Sequence, residues 1–279
     1  MDLSEINFAV LVASLIVAST PLVLAALGEL IVEKSGVLNL GVEGMMIIGA
    51  VAGFIVGVET GSAYIGMIAA AVAGALLALL FAFIILIMQA NQVASGLALT
   101  IFGLGIAALM GHPYTGIKSP QISTISIPIL SEIPILGTMF FQHDLIVYLS
   151  LISVLTIWYF LTRMRAGLIL RSVGEDHDVA HSLGYRVITI RFLAIVFGGA
   201  MAGVGGGYLS LFRVPQWTEG MTAGAGWIAL ALVVFSGWRP FRLLIGAYIF
   251  GGITILQLNL QAIGAVSYTH LRAHETMSN

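Results

Sequence analysis

The chain has 279 residues, 59% of them apolar and only 9% charged, with a formal net charge of −2. A soluble domain carries roughly 25% charged residues, so this chain has too few polar side chains to cover a water-facing surface. The near-neutral balance gives no reason to expect nucleic acid as a partner. With no cysteine, disulfides, thiolate metal sites and cysteine nucleophiles are excluded.

A backbone in lipid must satisfy its own hydrogen bonds, so long apolar runs here mean helices. The expected fold class is all-α, a polytopic transmembrane helix bundle of about eight spans. The first residues carry Asp2 and Glu5 but no Lys or Arg, unlike a cleavable signal peptide. Residues 8–27 therefore read as a retained first span. Further spans are predicted over 45–58, 64–88, 93–110, 145–161, 189–211, 227–238 and 243–263. The second and seventh are short. Each is expected to begin inside an interrupted stretch, 38–44 or 220–226, of a kind tolerated only against protein or a water-lined cavity.

Basic residues set the orientation. Arg163, Arg165, Arg171, Arg186 and Arg191 follow the fifth span, and placing them inside brings Lys34, Arg239 and Arg242 to the same side. Lys118, Arg213 and Arg272 then lie outside, together with the N-terminus. The outer segment 111–144, with Pro113, Pro120, Pro128 and Pro134, reads as a cap of short elements. The inner segment 162–186 is the most polar, with a small helix expected over 175–183 and ended by Gly184. Residues 267–279 (SYTHLRAHETMSN) break into a polar run without periodicity and look like a translated library adapter. That leaves 1–266 as one membrane domain.

Several motifs invite chemistry. Gly49, Gly53, Gly57 and Gly61 form one four-residue ladder, and Gly199, Gly203 and Gly207 another. Such rows let backbones approach closely, and packing within the chain is expected over a seam between subunits. The stretch 28–35 (GELIVEKS) resembles a phosphate-binding loop, but Glu33 stands where a glycine is needed and would repel phosphate. His177 and His181 share a helix face, yet no third ligand accompanies them, so a solvated helix is expected and no metal site. The non-tail histidines lie in loops, which leaves nucleophilic catalysis unsupported. Asn39, Glu43, Asn91, Gln92 and Ser95 are expected at or just inside the cytoplasmic ends of spans. A carboxylate there suggests a pathway residue. The bland alternatives for Glu43 are a place at the membrane interface, a helix N-terminal cap or a pair with Lys34.

Residues 35–50 (SGVLNLGVEGMMIIGA), 90–104 (ANQVASGLALTIFGL) and 167–187 (GLILRSVGEDHDVAHSLGYRV) together resemble the permeases of ABC importers for branched-chain amino acids, ribose and nucleosides. Residues 200–211 and 224–240 extend the resemblance over most of the chain. Its NLGVEGMM stretch is most similar to the nucleoside branch, since the other branches carry different polar residues there. The resemblance implies a non-catalytic membrane subunit without a cofactor. Its implied partners are an ABC ATPase, a second permease, an extracytoplasmic binding protein and membrane lipid, in a prokaryotic cytoplasmic membrane. Gly174, Glu175, Ala180, Leu183 and Gly184 would form the helix that couples to the ATPase. His177, Asp178 and His181 depart from the family pattern there. Asn39, Glu43, Asn91, Gln92, Ser95 and Trp227 would line or gate the solute path. The resemblance also leads one to expect a further apolar span where the adapter-like tail stands.

The main rival is an ion-driven secondary transporter, which usually carries acidic residues near the bilayer midplane. No Asp, His, Lys or Arg sits mid-span in the predicted spans, and Glu43 is expected near an end. A membrane-embedded enzyme ranks below both.

Overall fold

The computed structural model describes residues 8–120, 125–126, 133 and 136–262. The chain is an all-α bundle. In order, α1 spans Phe8–Lys34, α2 Val42–Thr60, α3 Ala63–Ala82 with a π-turn over Phe83–Ile87, and α4 Gln92–Gly111. After a short α5 (Leu136–Phe140) come α6 (Leu145–Arg163), α7 (Arg165–Glu175), α8 (His177–Ser182) and α9 (Val187–Tyr208), which continues as a π-turn over Leu209–Arg213. The last two are α10 (Ala225–Phe235) and α11 (Pro240–Ala262). Among the described residues, seven helices are long and apolar enough to cross a membrane, and α10 is a shorter apolar helix. The seventh predicted span, 227–238, is thus half-length. Both α2 and α10 begin inside the two interruptions expected from the sequence.

Local chemistry explains where helices start and stop. The Asp144 carboxylate accepts the amides of Ile146 and Val147 and so caps α6, satisfying donors that have no partner within the helix. Its other oxygen accepts the hydroxyl of buried Tyr208 at 2.7 Å, tying α6 to α9. Gly61, at φ +68°, ends α2 in the left-handed conformation that glycine adopts without strain.

The centre of the bundle is α1, α2, α3 and α9, which bury Leu27, Leu30, Met45, Met46, Phe54, Phe81 and Ile195 completely or nearly so. The glycine ladders make this possible, and they do so within the chain. Gly203 lies against the backbones of Gly49, Ala70 and Gly74, while Gly53 packs on Gly66 and Ala70. A methyl group at Gly203 would overlap the Ala70 carbonyl, and overpacking of this kind costs about 1–3 kcal/mol. Gly203→Ala is therefore expected to lower the thermal midpoint of the purified protein. Gly105→Ala, where the added carbon meets nothing within 4 Å, is expected to leave it unchanged.

One end of the bundle gathers the basic residues. Lys34, Arg171, Arg239 and Arg242 surround a common cavity, and Arg191 Nε donates to the Ser35 carbonyl at 3.1 Å. At the opposite end Lys118 bridges to Gln216 and Thr115 to Trp217. The shared side expected of the first group and the separate side of Lys118 are both seen. The opposite end also carries the short elements expected between 111 and 144. These are a 3₁₀ turn over His112–Tyr114, α5, and two-residue strands β1 (Ile125–Ser126) and β2 (Gln142–His143) paired antiparallel.

The polar inner segment differs from expectation in one respect. The small helix expected over 175–183 is present as α8, capped by Asp176, but an unexpected helix, α7, precedes it and ends at Glu175. Charged residues interrupt the apolar pattern of α7, yet it buries Gly167, Leu170 and Val173 on one face. The tail 267–279, its boundary at 266, the N-terminal Asp2 and Glu5, and Arg272 lie outside the described residues.

Candidate functional site

The loop between α1 and α2 turns back into the bundle, and three helices, α1, α4 and α10, hold it there. Asn39 is fully buried; its backbone N–H and its Nδ2 donate to the two carboxylate oxygens of Glu29 on α1, at 3.3 and 3.2 Å. Its own side-chain oxygen accepts the Gly41 amide at 3.0 Å, an Asx turn that starts α2. From α4, Gln92 accepts the Leu38 amide at 2.9 Å, and Thr100 donates to the Leu40 carbonyl at 3.0 Å. From α10, the Trp227 indole N–H donates to the same carbonyl at 3.3 Å.

Glu43 joins this loop to the second interruption. One oxygen accepts the Thr222 hydroxyl at 2.5 Å and the Gly224 amide at 3.0 Å, and the other accepts the Gly226 amide at 2.6 Å. A carboxylate from α2 thus caps the N-terminus of α10, where backbone N–H groups and the helix dipole favour negative charge. Gly226 must be glycine, since an added carbon would lie 2.5 Å from the Glu43 Cα. Of the alternatives for Glu43, the helix cap is the geometry observed.

The depth of Glu43 corrects the sequence-based expectation. Its neighbour Gly44 packs against Leu99, Thr100 and Gly103, midway along α4. Glu43 therefore lies level with the middle of α4, although it stands in the first turn of α2 (Val42–Thr60). Counting from the start of an apolar run misplaced it, because the preceding loop itself dips between helices. With 3% of its surface exposed and three donors bound, it has the partners a buried carboxylate needs.

The remaining pathway candidates are less enclosed. Asn91 caps α4 by accepting the Ala94 amide at 3.0 Å and is exposed, while Gln92 and Ser95 are half-buried. Trp227 is 45% exposed, and Leu38 beside it is 37% exposed. The structure thus brings Asn39, Glu43, Gln92 and Trp227 into one connected network and leaves Asn91 and Ser95 at its margin. Sequence reading singled out none of Glu29, Thr100, Thr222, Gly224 and Gly226 individually, although the last three lie in the interruption expected at 220–226 and Glu29 is an acid just beyond the first predicted span.

The second candidate surface is α8 and the turn after it. Ala180 is 1% exposed and packs on Val173 and Val187, fastening α8 to α7 and α9. Val179 and Leu183, 53% and 69% exposed, point away from that contact. Gly184, at φ +85°, makes the turn. Gly174 lies against the Lys34 carbonyl and Gly36, so α7 approaches the end of α1 with no room for a side chain. Glu175 is exposed beside Lys34 and Arg171. Of the five coupling candidates, Glu175, Leu183 and Gly184 face outward, whereas Gly174 packs α7 on the end of α1 and Ala180 packs α8 on α7 and α9.

Comparison with known proteins matches residues 11–271 to the model of the branched-chain amino acid transport system permease component. A putative glucose ABC transporter permease protein of Haloferax volcanii is 43% identical over 250 residues, 88% of this chain and 76% of that protein. A guanosine ABC transporter permease protein of Bacillus subtilis is 35% identical over 266 residues, covering 90% and 82%. A nucleoside ABC transporter permease protein of Lactococcus lactis is 31% identical over 258 residues, covering 88% and 81%. No solved structure matches the chain.

Proposed function

We propose that this chain, which belongs to the family of permease components of branched-chain amino acid transport systems, passes nucleosides or related sugars inward through the membrane. It is a multi-pass protein of the cell membrane and an ABC transporter permease. The solute class rests on the relatives, which are named for glucose, guanosine and nucleosides. The geometry adds a half-exposed indole, Trp227, whose N–H reaches the same loop that Gln92 holds. A flat base or the apolar face of a sugar ring stacks favourably on such a ring.

The observation that carries the mechanism is the junction of the two broken segments through Glu43. Interrupted helices that line a pathway can move as rigid halves. Here α2 and α10 are coupled through one carboxylate, so they move together. The exposed side of this junction, with Leu38, Trp227, Leu97 and Ile101, is the face we assign to a second permease, the solute passing between the two. ATP hydrolysis is assigned to a separate ATPase that docks on Val179 and Leu183, on the basic end facing the cytoplasm. A binding protein delivers solute at the opposite end.

The test is reconstitution with the neighbouring ATPase, permease and binding protein in liposomes. The expected result is guanosine or glucose uptake that requires ATP and the binding protein. Failure to form any complex with an ABC ATPase would sink the reading. Uptake without ATP that collapses with the proton gradient would do the same.

A further inference from the structure

The basic end holds a feature that solute transport does not use. Lys34 at the end of α1, Arg171 on α7, and Arg239 and Arg242 at the start of α11 line one cavity of about 640 Å³. Two indoles, Trp158 and Trp238, also line it, with Leu161 and Phe241 as apolar wall. Among the described residues the one side-chain ion pair is His177 with Asp178, so none of these four cations has a carboxylate at ion-pair distance. The Arg171 Nε is buried and donates to nothing. The Lys34 ammonium sits 5.6 Å from the centre of the Trp238 ring.

The nearest carboxylates lie to one side. An adjoining cavity of about 350 Å³ shares Lys34, Arg171 and Trp238 and adds Glu33 and Glu175. Glu33 accepts the Trp238 indole N–H with one oxygen, and its other oxygen is buried without a partner. Neither acid reaches Arg239 or Arg242. The rule that cytoplasmic ends are basic explains the side of the membrane, but not the convergence on one hollow. Arg163, Arg165 and Arg186 obey the same rule and line neither cavity.

We infer that this cavity is a phosphate-binding site, and that its occupant is the headgroup phosphate of an anionic phospholipid. Arginine forks bind phosphate oxygens in pairs, and basic pockets between membrane helices on the cytoplasmic side suit such headgroups. The walls come from the ends of three long apolar helices, α1, α6 and α11, and from indoles typical of the membrane–water boundary. Leu161 and Phe241 offer apolar surface to the part of the lipid beyond the phosphate. Because Arg171 belongs to α7, which leads directly into α8, an occupied site ties the lever of the polar segment to α1 and α11. The site itself stands whatever solute the chain carries.

The test uses the full chain, delipidated in detergent and then offered phosphatidylglycerol or phosphatidylcholine, with retained lipid read by native mass spectrometry. Phosphatidylglycerol is expected to be retained about tenfold over phosphatidylcholine, as a few added cation contacts would give. Joint substitution Arg171→Gln, Arg239→Gln and Arg242→Gln is expected to erase the preference, whereas Arg163→Gln with Arg165→Gln keeps it. Should the triple variant not remain monodisperse, Arg242→Gln alone, an exposed side chain at a helix start, must still reduce the preference. Equal retention of the two lipids by the unaltered chain would overturn the inference. So would an equal loss in the Arg163/Arg165 variant, which would reveal diffuse charge attraction. Displacement of phosphatidylglycerol by inorganic phosphate supports the site. Thermal stabilisation by inorganic phosphate without any lipid preference would overturn the lipid as occupant and assign the cavity to a soluble phosphate.

Discussion

Replacing Glu43 with alanine is expected to abolish transport and to lower the thermal midpoint by roughly 6–12 °C. The substitution strands the Thr222 hydroxyl and the Gly224 and Gly226 amides, all of which now donate to this carboxylate. A buried donor left without an acceptor costs about 1–3 kcal/mol. Three of them therefore cost about 3 kcal/mol or more, and each kcal/mol moves the midpoint of a chain this size by ~2–4 °C. Glu43→Gln retains one carboxyl-type oxygen but turns an NH₂ toward a donor, so an intermediate loss is expected. Thr222→Val removes a single partner and should cost least. Differential scanning fluorimetry and limited proteolysis around 222–226 would follow the loosening directly. An alanine variant with an unchanged midpoint and lost uptake would move Glu43 from scaffold to solute contact. An alanine variant that is unchanged in both would refute the junction.

Leu183→Asp is expected to do the opposite, cutting ATP-driven uptake at least about tenfold, equivalent to ~1.4 kcal/mol, while leaving stability alone. Leu183 is 69% exposed and packs on nothing in the chain's core, and surface substitutions of this kind usually stay within about 0.5 kcal/mol. The loss should appear as reduced co-purification of the ATPase, with solute binding by the binding protein intact. Glu175→Ala is expected to act in the same direction and more weakly. Ala180→Asp provides the contrast. It places a charge against Val173 and Val187, where Ala180 is 1% exposed, and should lower stability and uptake together. If Leu183→Asp behaved like Ala180→Asp, the docking role of α8 would be lost.

Much of the bundle was legible because lipid imposes simple rules on a chain. Long apolar runs must be helices, and the interruptions at 38–44 and 220–226 show in the sequence as polar and glycine residues where a helix should continue. The helix start at Val42 and the half-length α10 follow from those breaks. The α7 helix was not legible, because its buried face of Gly167, Leu170 and Val173 is embedded in a charged segment that breaks the apolar run. The site was legible as a set of residues and not as an arrangement. Asn39 and Glu43 stand out as polar groups in an apolar context, but nothing local says that one binds Glu29 and the other caps α10.

The sequence by itself determined that this protein lives in a membrane, which residues cluster at one end, and where its helices break, since composition and charge placement act locally through solvation. The tertiary structure alone decided that the two breaks meet at mid-bundle, that the glycine ladders close the chain on itself, and that four cations converge on one cavity. The physical reason is separation along the chain. Glu43 and Gly226 are joined across 183 residues, and Arg171 lines the same cavity as Lys34 where Gly174, lacking a side chain, lets α7 pack on the end of α1.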